Sequence, residues 1–251
     1  MSLDPQIPQP ASPEARLAPQ PRQRRLLAPV WHTAVLVAVL LLGSISGSGA
    51  HHLLARSGSK LPQYIWGMTW EWILAGFVWL GIRKRYRLRD IIGGRWASWD
   101  DFFVDILTAA CFWIFAALVL AAGAKLMHLD QAQKLDAMRR QLGFLTPNTR
   151  LELGVWILLS STAGFCEEFI FRGYLQLQFA AMTRSMLAGA LLSAVVFGAS
   201  HGYEGGARMI LIGIFGLLFG LLAWWRRSLR PGMIAHAWHD ALSGAVLRML
   251  R

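Results

Sequence analysis

Three charged side chains stand together in the middle of an apolar stretch. Glu167, Glu168 and Arg172 lie in the run Ala163-Gly164-Phe165-Cys166-Glu167-Glu168-Phe169-Ile170-Phe171-Arg172-Gly173. On a helix, Glu168 and Arg172 are four residues apart, so they can pair on one face. Glu167 points about 100° away from them and has no cation of its own on this helix. The pattern favours a general base that takes a proton from water, beside a neutralised pair. A purely structural ion pair is the alternative.

Imidazole groups occur in two later apolar stretches. His201 ends the run Phe197-Gly198-Ala199-Ser200-His201-Gly202, and the last stretch contains His236-Ala237-Trp238-His239-Asp240. His236 and Asp240 lie one helical turn apart on the same face. Taken alone, a histidine at a helix end such as His201 is more often a packed or capping residue than a catalytic one. Three separate stretches that each contribute inward acid or imidazole groups nevertheless favour one shared site.

Several other chemistries are excluded by the motifs that the sequence lacks. It contains no HExxH zinc helix, no G-x-S-x-G turn and no phosphate-binding loop. Ser200 and His201 are neighbours in sequence and cannot face each other as a Ser–His dyad on one helix. Cys111 and Cys166 both lie in apolar runs, which indicates neither a disulfide framework nor a cysteine-based zinc site.

The composition indicates the environment in which these residues act. Of the 251 residues, 55% are hydrophobic and only 16% are charged, whereas soluble domains carry about 25% charge. The net charge is +11, from 25 Lys and Arg against 14 Asp and Glu. Basic clusters combined with such an apolar excess favour a lipid bilayer as partner, and they argue against nucleic acid.

The apolar stretches predict an all-α fold, a polytopic transmembrane bundle of about seven spans with a polar intramembrane cavity. Capping boxes at Ser98–Asp101 and Thr149–Glu152 predict two of the helix starts. Straight parallel helices would leave the candidate site residues at different depths, which predicts a tilted or broken helix or a recessed connection near Arg230-Pro231. The predicted spans are 30–54, 64–82, 101–124, 151–181, 186–202, 208–225 and 231–249.

Two regions are expected along the chain. Residues 1–29 hold seven of the ten prolines and predict a disordered cytoplasmic tail. Residues 30–251 form the predicted transmembrane domain, in which 150–245 carries the motifs. Dense basic segments place the amino terminus in the cytoplasm by the positive-inside rule. The predicted cytoplasmic segments contain Arg16, Arg22, Arg24, Arg25, Arg83, Lys84, Arg85, Arg87, Arg89, Arg95, Arg184, Arg226, Arg227 and Arg230.

The ordered set of motifs resembles a known family. Glu167-Glu168-x-x-x-Arg172, Phe197-x-x-x-His201 and His236-x-x-x-Asp240 are similar to the motifs of the CAAX-processing and bacteriocin-processing (CPBP, also called Abi) intramembrane proteases. The eukaryotic prenyl-protein endopeptidase belongs to the same group. The resemblance covers roughly 150–245.

The resemblance implies a role for each matching residue. Glu167 would activate the attacking water with the help of His201, and Glu168 and Arg172 would support them. His236 would stabilise the oxyanion of the tetrahedral intermediate.

One matching residue departs from the pattern of the family. Asp240 would share the oxyanion role, yet the family usually has Asn at this position. An ionised carboxylate repels an oxyanion, so either Asp240 is protonated or it orients His236. If the reaction uses a divalent metal such as zinc, Glu167, His201 and His236 would be its ligands.

The expected function is therefore hydrolysis of a peptide bond in a membrane-associated protein or peptide. The expected location is a membrane, with the bacterial cytoplasmic membrane as the leading candidate. Two alternatives stay open at this point: a proton- or metal-coupled transporter, whose buried Glu and His groups relay ions, and a catalytically idle scaffold or immunity protein.

Overall fold

The computed structural model describes residues 25–54, 59–127 and 146–249. Within these ranges the chain is helical and contains no strand, so the predicted all-α fold is confirmed. Residues 1–24 of the predicted tail lie outside the described ranges. The helices are α1 Val30–Leu54, α2 Leu61–Ile82, α3 Leu88–Ile92, α4 Trp99–Leu126, α5 Arg150–Glu167, α6 Gln176–Thr183, α7 Met186–Ser200, α8 Gly206–Arg226 and α9 Arg230–Met249.

Four helical segments of the described chain are long and apolar enough to cross a membrane. They are Leu61–Ile82, Trp99–Leu126, Arg150–Thr183 and Gly206–Arg226. Shorter apolar helical segments occur at Val30–Ile45 and Met186–Ser200. A helix occupies each of the seven predicted positions, whereas the number of spans, seven, stays a prediction.

Both predicted capping boxes are present. The Ser98 hydroxyl accepts from the Asp101 amide at the start of α4, and the Thr149 hydroxyl accepts from the Glu152 amide at the start of α5. Glu152 also accepts from the backbone amide of Lys60 at 2.8 Å, just before α2. One carboxylate thus satisfies amides that a helix start leaves unpaired and ties the beginnings of α2 and α5 together.

The fourth predicted span contains a change of helix type. Between α5 and α6, residues Glu168–Leu175 form a π-helical segment, in which the hydrogen bonds run over five residues instead of four. All eight residues of this segment are buried. The span thus runs as one helical segment over Arg150–Thr183, and its helical period changes directly after Glu167 without a break.

Three basic segments meet on one side of the bundle. Arg85 donates to the Leu26 carbonyl ahead of α1, and the Leu229 amide donates to the Ile92 carbonyl at 2.8 Å. Asp105, on α4 and almost fully buried, forms ion pairs with Arg226 at 3.1 Å and Arg230 at 2.8 Å. This grouping is what a positive-inside arrangement requires. The orientation of the chain in the cell stays a prediction.

The centre of the bundle depends on a close approach of α5 and α9. Helix α5 packs most extensively against α9 and α2, and α7 packs against α8 and α6. Gly164 lies at the crossing, where an added Cβ would come within 2.8 Å of the Met233 carbonyl oxygen and the Ala237 amide nitrogen. These are backbone atoms that cannot rotate away, so only glycine allows this helix spacing.

Gly164→Ala is therefore expected to lower the free energy of unfolding by about 1–3 kcal/mol, because overpacking forces the two backbones apart. Gly154→Ala is the matched control on the same helix, since an added Cβ there meets nothing within 4 Å. Replacing that glycine should be neutral or stabilise the helix by up to about 1 kcal/mol. Reversible unfolding in mild detergent measures both variants. Equal stability of the two would show that the close approach is not limiting.

Candidate active site

The buried pair of Glu168 and Arg172 lies in the π-helical segment. The Arg172 Nη1 is 2.8 Å from Glu168 Oε1, and both side chains are almost completely buried. A buried guanidinium needs further partners, and the Gly216 carbonyl on α8 accepts from Arg172 Nη2 at 3.1 Å. The Arg172 Cζ also lies 4.5 Å from the centre of the Phe197 ring, a distance suited to a cation–π contact. The pair predicted from spacing is thus present.

The same carboxylate of Glu168 holds an imidazole from another helix. His236 on α9 lies with Nδ1 at 3.0 Å from Glu168 Oε1. Because a carboxylate only accepts, Nδ1 carries the hydrogen. The opposite nitrogen, Nε2, then faces Glu167, whose Oε2 is 3.5 Å away. Glu168 therefore fixes the direction in which His236 presents its second nitrogen.

His201 follows the last residue of α7 and is oriented by its own helix. Its Nδ1 lies 2.9 Å from the Phe197 carbonyl oxygen four residues earlier. A carbonyl accepts only, so Nδ1 carries the hydrogen in this contact. Nε2 is consequently directed at Glu167 Oε1, at 4.0 Å. The spacing Phe197-x-x-x-His201 has a physical explanation, since it places the orienting carbonyl one turn before the ring.

Glu167 is the point at which the two imidazoles meet. Its two oxygens face His201 at 4.0 Å and His236 at 3.5 Å, and its side chain is 13% exposed. These separations are longer than a direct hydrogen bond. All three side chains line one cavity of about 410 Å³. The three stretches therefore converge on one place.

Asp240 lies at the same cavity but is held less tightly. Its Oδ2 is 3.7 Å from His236 Nε2, and about a third of its side chain is exposed. Its backbone carbonyl accepts from Trp156 Nε1 at 3.0 Å, which joins α9 to α5. Of the two carboxylates beside His236, Glu168 makes the direct hydrogen bond. The interpretation in which Asp240 orients the His236 ring thus has less support than one in which its side chain interacts with a molecule bound in the cavity.

Glu71 is a cavity residue that was not predicted from the sequence. This side chain on α2 lines the same cavity as Glu167. A signal was available, because Glu71 is the one acidic or basic residue of the apolar segment Leu61–Ile82, and an intramembrane charge is costly unless it serves a purpose. Glu204 and Arg208 also line the cavity and form an ion pair at 3.3 Å.

A metal site is a poor match to this arrangement. Within the described ranges, no group of three or more His, Cys, Asp or Glu side chains is placed so that it could hold a metal ion. The described residues thus show no preformed metal centre, and a metal requirement stays a prediction.

The fold and the site together define a class: a helical membrane protein with carboxylates and imidazoles around an internal cavity. Residues 149–242 match a family model described as type II CAAX prenyl endopeptidase, Rce1-like. This segment is therefore similar to the CAAX protease family that the motifs of the chain resemble, and the similarity supports a membrane protease. No curated protein and no solved structure matches the chain. The matched segment contains Glu167, Glu168, Arg172, His201, His236 and Asp240, but not Glu71.

Arg172→Met is expected to lower the free energy of unfolding by about 3–5 kcal/mol, because it leaves the Glu168 carboxylate buried without its counter-charge. The double variant Glu168→Gln/Arg172→Met should lose clearly less than the sum of the two single changes. Unfolding in detergent measures the stability of the parent chain, the two single variants and the double variant, which together form a double-mutant cycle.

The exposed pair of Arg89 and Asp90, with nitrogen and oxygen 3.9 Å apart, is the control for this cycle. Arg89→Met should change the stability by less than about 1 kcal/mol. Additive losses in the cycle at Glu168 and Arg172 would contradict a coupled buried pair.

Proposed function

We propose that this protein is an intramembrane endopeptidase that hydrolyses a peptide bond of a membrane-associated protein, with Glu167 as the general base. The observation that carries the proposal is the position of the Glu167 carboxylate between the Nε2 atoms of His201 and His236. The cavity that contains these groups lies inside a bundle of apolar helices. The match of residues 149–242 to a CAAX endopeptidase family supports the reaction class.

Water activation is the first step of the proposed reaction. A water bound between Glu167 and His201 gives a proton to the Glu167 carboxylate while its oxygen attacks the carbonyl carbon of the substrate. His201 keeps its Nδ1 hydrogen on the Phe197 carbonyl, so Nε2 is available to hold the water. Glu167 then returns the proton to the amide nitrogen as the C–N bond breaks. The products are an amine and a carboxylic acid, which keeps the second proton of the water until it ionises in solution.

Charge develops on the carbonyl oxygen of the substrate in the same step. A preformed donor at that oxygen lowers the barrier because it needs no reorganisation. His236 fits this role, since Glu168 accepts at Nδ1 and Nε2 faces the cavity. To donate from Nε2 as well, the ring must be an imidazolium. Glu168 and Glu167, on either side of the ring, are the two carboxylates that offset its charge and that of Arg172.

The substrate has to reach a cavity enclosed by helices. A protein or peptide that is already associated with the membrane approaches it from the bilayer, which fits a family named for CAAX prenyl proteins. The orientation expected from the basic segments places the amino terminus in the cytoplasm. Location in a bacterial cytoplasmic membrane belongs to the same proposal.

Glu167→Gln is expected to lower kcat by about 10²–10⁴-fold, because an amide cannot take the proton from water. The assay uses the purified full chain in vesicles with two fluorogenic peptides that end in a CAAX sequence, one farnesylated at the cysteine and one unmodified. Cys166→Ala is the matched control. It changes the neighbouring buried residue without touching the proposed chemistry and should retain activity.

The same preparations separate the alternative functions. Ion flux across the vesicles without cleavage would favour a transporter, and neither activity would favour a scaffold. Cleavage that survives Glu167→Gln would contradict the proposed base. Cleavage that is lost on chelation and restored by zinc would show that a metal holds the water.

Asp240→Asn is expected to keep kcat at or above that of the parent chain, because a neutral amide can donate to the oxyanion where an ionised carboxylate repels it. Asp240→Leu removes the polar group and should lower kcat by about 10²-fold. The same peptide assay measures both variants. A loss in the Asn variant as large as that in the Leu variant would show that the carboxylate itself is required.

A further inference from the structure

Arg208 is a cation that the orientation of the chain in the membrane does not explain. It is the third residue of α8, whereas Arg226 is the last residue of the same helix. At a rise of about 1.5 Å per residue, the two lie about 27 Å apart. Arg226 belongs to the basic side of the bundle, where it pairs with Asp105. Arg208 therefore lies at the opposite end of α8, where a positive-inside arrangement requires no positive charge.

The surroundings of Arg208 are those of the candidate active site. Its side chain lines the cavity and is 29% exposed. Among the described lining residues it is the one permanent cation. The carboxyl groups of the same lining belong to Glu71, Glu167, Glu204 and Asp240. Negative charges repel one another, so an anionic group of a bound molecule finds its favourable place in this cavity beside Arg208.

The contact with Glu204 leaves much of the guanidinium group unused. Arg208 Nη1 is 3.3 Å from Glu204 Oε2, and this nitrogen has no hydrogen-bond partner among the described residues. A guanidinium carries five N–H donors in a planar fork, and a buried donor that lacks an acceptor is costly. The group thus keeps hydrogen-bonding capacity for an acceptor that enters the cavity.

The position of Arg208 is fixed relative to His201. A single 3₁₀ turn, residues 202–204, connects the end of α7 with the start of α8. At Gly198 on α7, an added Cβ would come within 2.7 Å of the carbonyl oxygen of Met209, the residue after Arg208. The two helices are therefore in backbone contact at this end. Their close packing holds the guanidinium at a set place beside the catalytic groups.

We propose that Arg208 is a specificity-determining residue that binds a carboxylate group of the substrate in the cavity. This inference rests on the proposed hydrolysis of a peptide bond and names one feature of its substrate. A peptide provides such a group at its carboxyl terminus or on an Asp or Glu side chain. Either source matches the planar guanidinium fork, which forms two parallel hydrogen bonds with a carboxylate. Glu204 holds the guanidinium in the free protein and competes with the substrate for it.

The kinetic test uses three forms of the farnesylated fluorogenic peptide with the full chain in nanodiscs. One form ends in a free carboxylate, one in an uncharged carboxamide, and one in a carboxamide with glutamate as the last residue. The parent chain should cleave at least one carboxylate form with a kcat/KM about 10–100-fold above that of the uncharged form, and the preferred form identifies the source. Arg208→Gln should abolish the preference, and Arg208→Lys should keep part of it. The ratio within one preparation does not depend on the folded fraction.

Glu204→Gln separates recognition of the substrate from a structural ion pair. Removal of the competing carboxylate should preserve or increase the preference, whereas loss of a structural pair would affect the variants at both positions alike. Arg89→Gln is the control, because it removes a cation from an exposed pair and should leave the preference unchanged. The absence of a preference in the parent chain, or its equal loss in Arg208→Gln and Glu204→Gln, would overturn the proposal.

A binding measurement tests the same contact without cleavage. Fluorescence anisotropy with labelled peptides and the Glu167→Gln chain in nanodiscs should show at least one carboxylate form bound about 10–100-fold more tightly than the uncharged form. Addition of Arg208→Gln to this chain should remove the difference. Selective binding together with an inactive parent chain would contradict only the protease function. Cleavage by the parent chain without selective binding would contradict only the role of Arg208.

Discussion

The ion pair of Glu168 and Arg172 is the interaction on which the site depends. Moving two charges out of water costs several kcal/mol per ion, and only close partners offset this cost. The structure provides them in the carbonyl of Gly216 and the ring of Phe197, and Glu168 also accepts from His236. Glu168, which neutralises the buried charge of Arg172, thereby also directs the imidazole of His236 towards Glu167. Stability and chemistry depend here on the same few contacts.

Close packing of helices brings the remaining groups to one level. The absence of a Cβ at Gly164 allows α9 to approach α5, and the change to π-helical geometry begins directly after Glu167. Segments of this type inside α-helices are frequent at functional sites, because they change which side chains share a face. Together these two features place Glu167 between imidazoles that come from the end of α7 and from α9.

The balance of charge in the cavity limits what the site can do. Glu71, Glu167, Glu204 and Asp240 contribute four carboxyl groups to its lining, whereas Arg208, paired with Glu204, is the one permanent cation among the described lining residues. Such an excess of acidic groups around two imidazoles is suited to acid–base chemistry on a peptide bond.

The sequence by itself determined the features that depend on local geometry. The pairing of Glu168 with Arg172 follows from a spacing of four residues, and the capping boxes follow from Ser98 and Thr149, because such contacts form within one or two helical turns. Only the tertiary structure decided that Glu168 accepts from His236, that the helix changes type after Glu167, and that Glu71 reaches the same cavity. These contacts join residues far apart in the chain. They depend on how closely whole helices approach, which is set by side-chain volumes at crossings such as Gly164 and not by spacing along one segment.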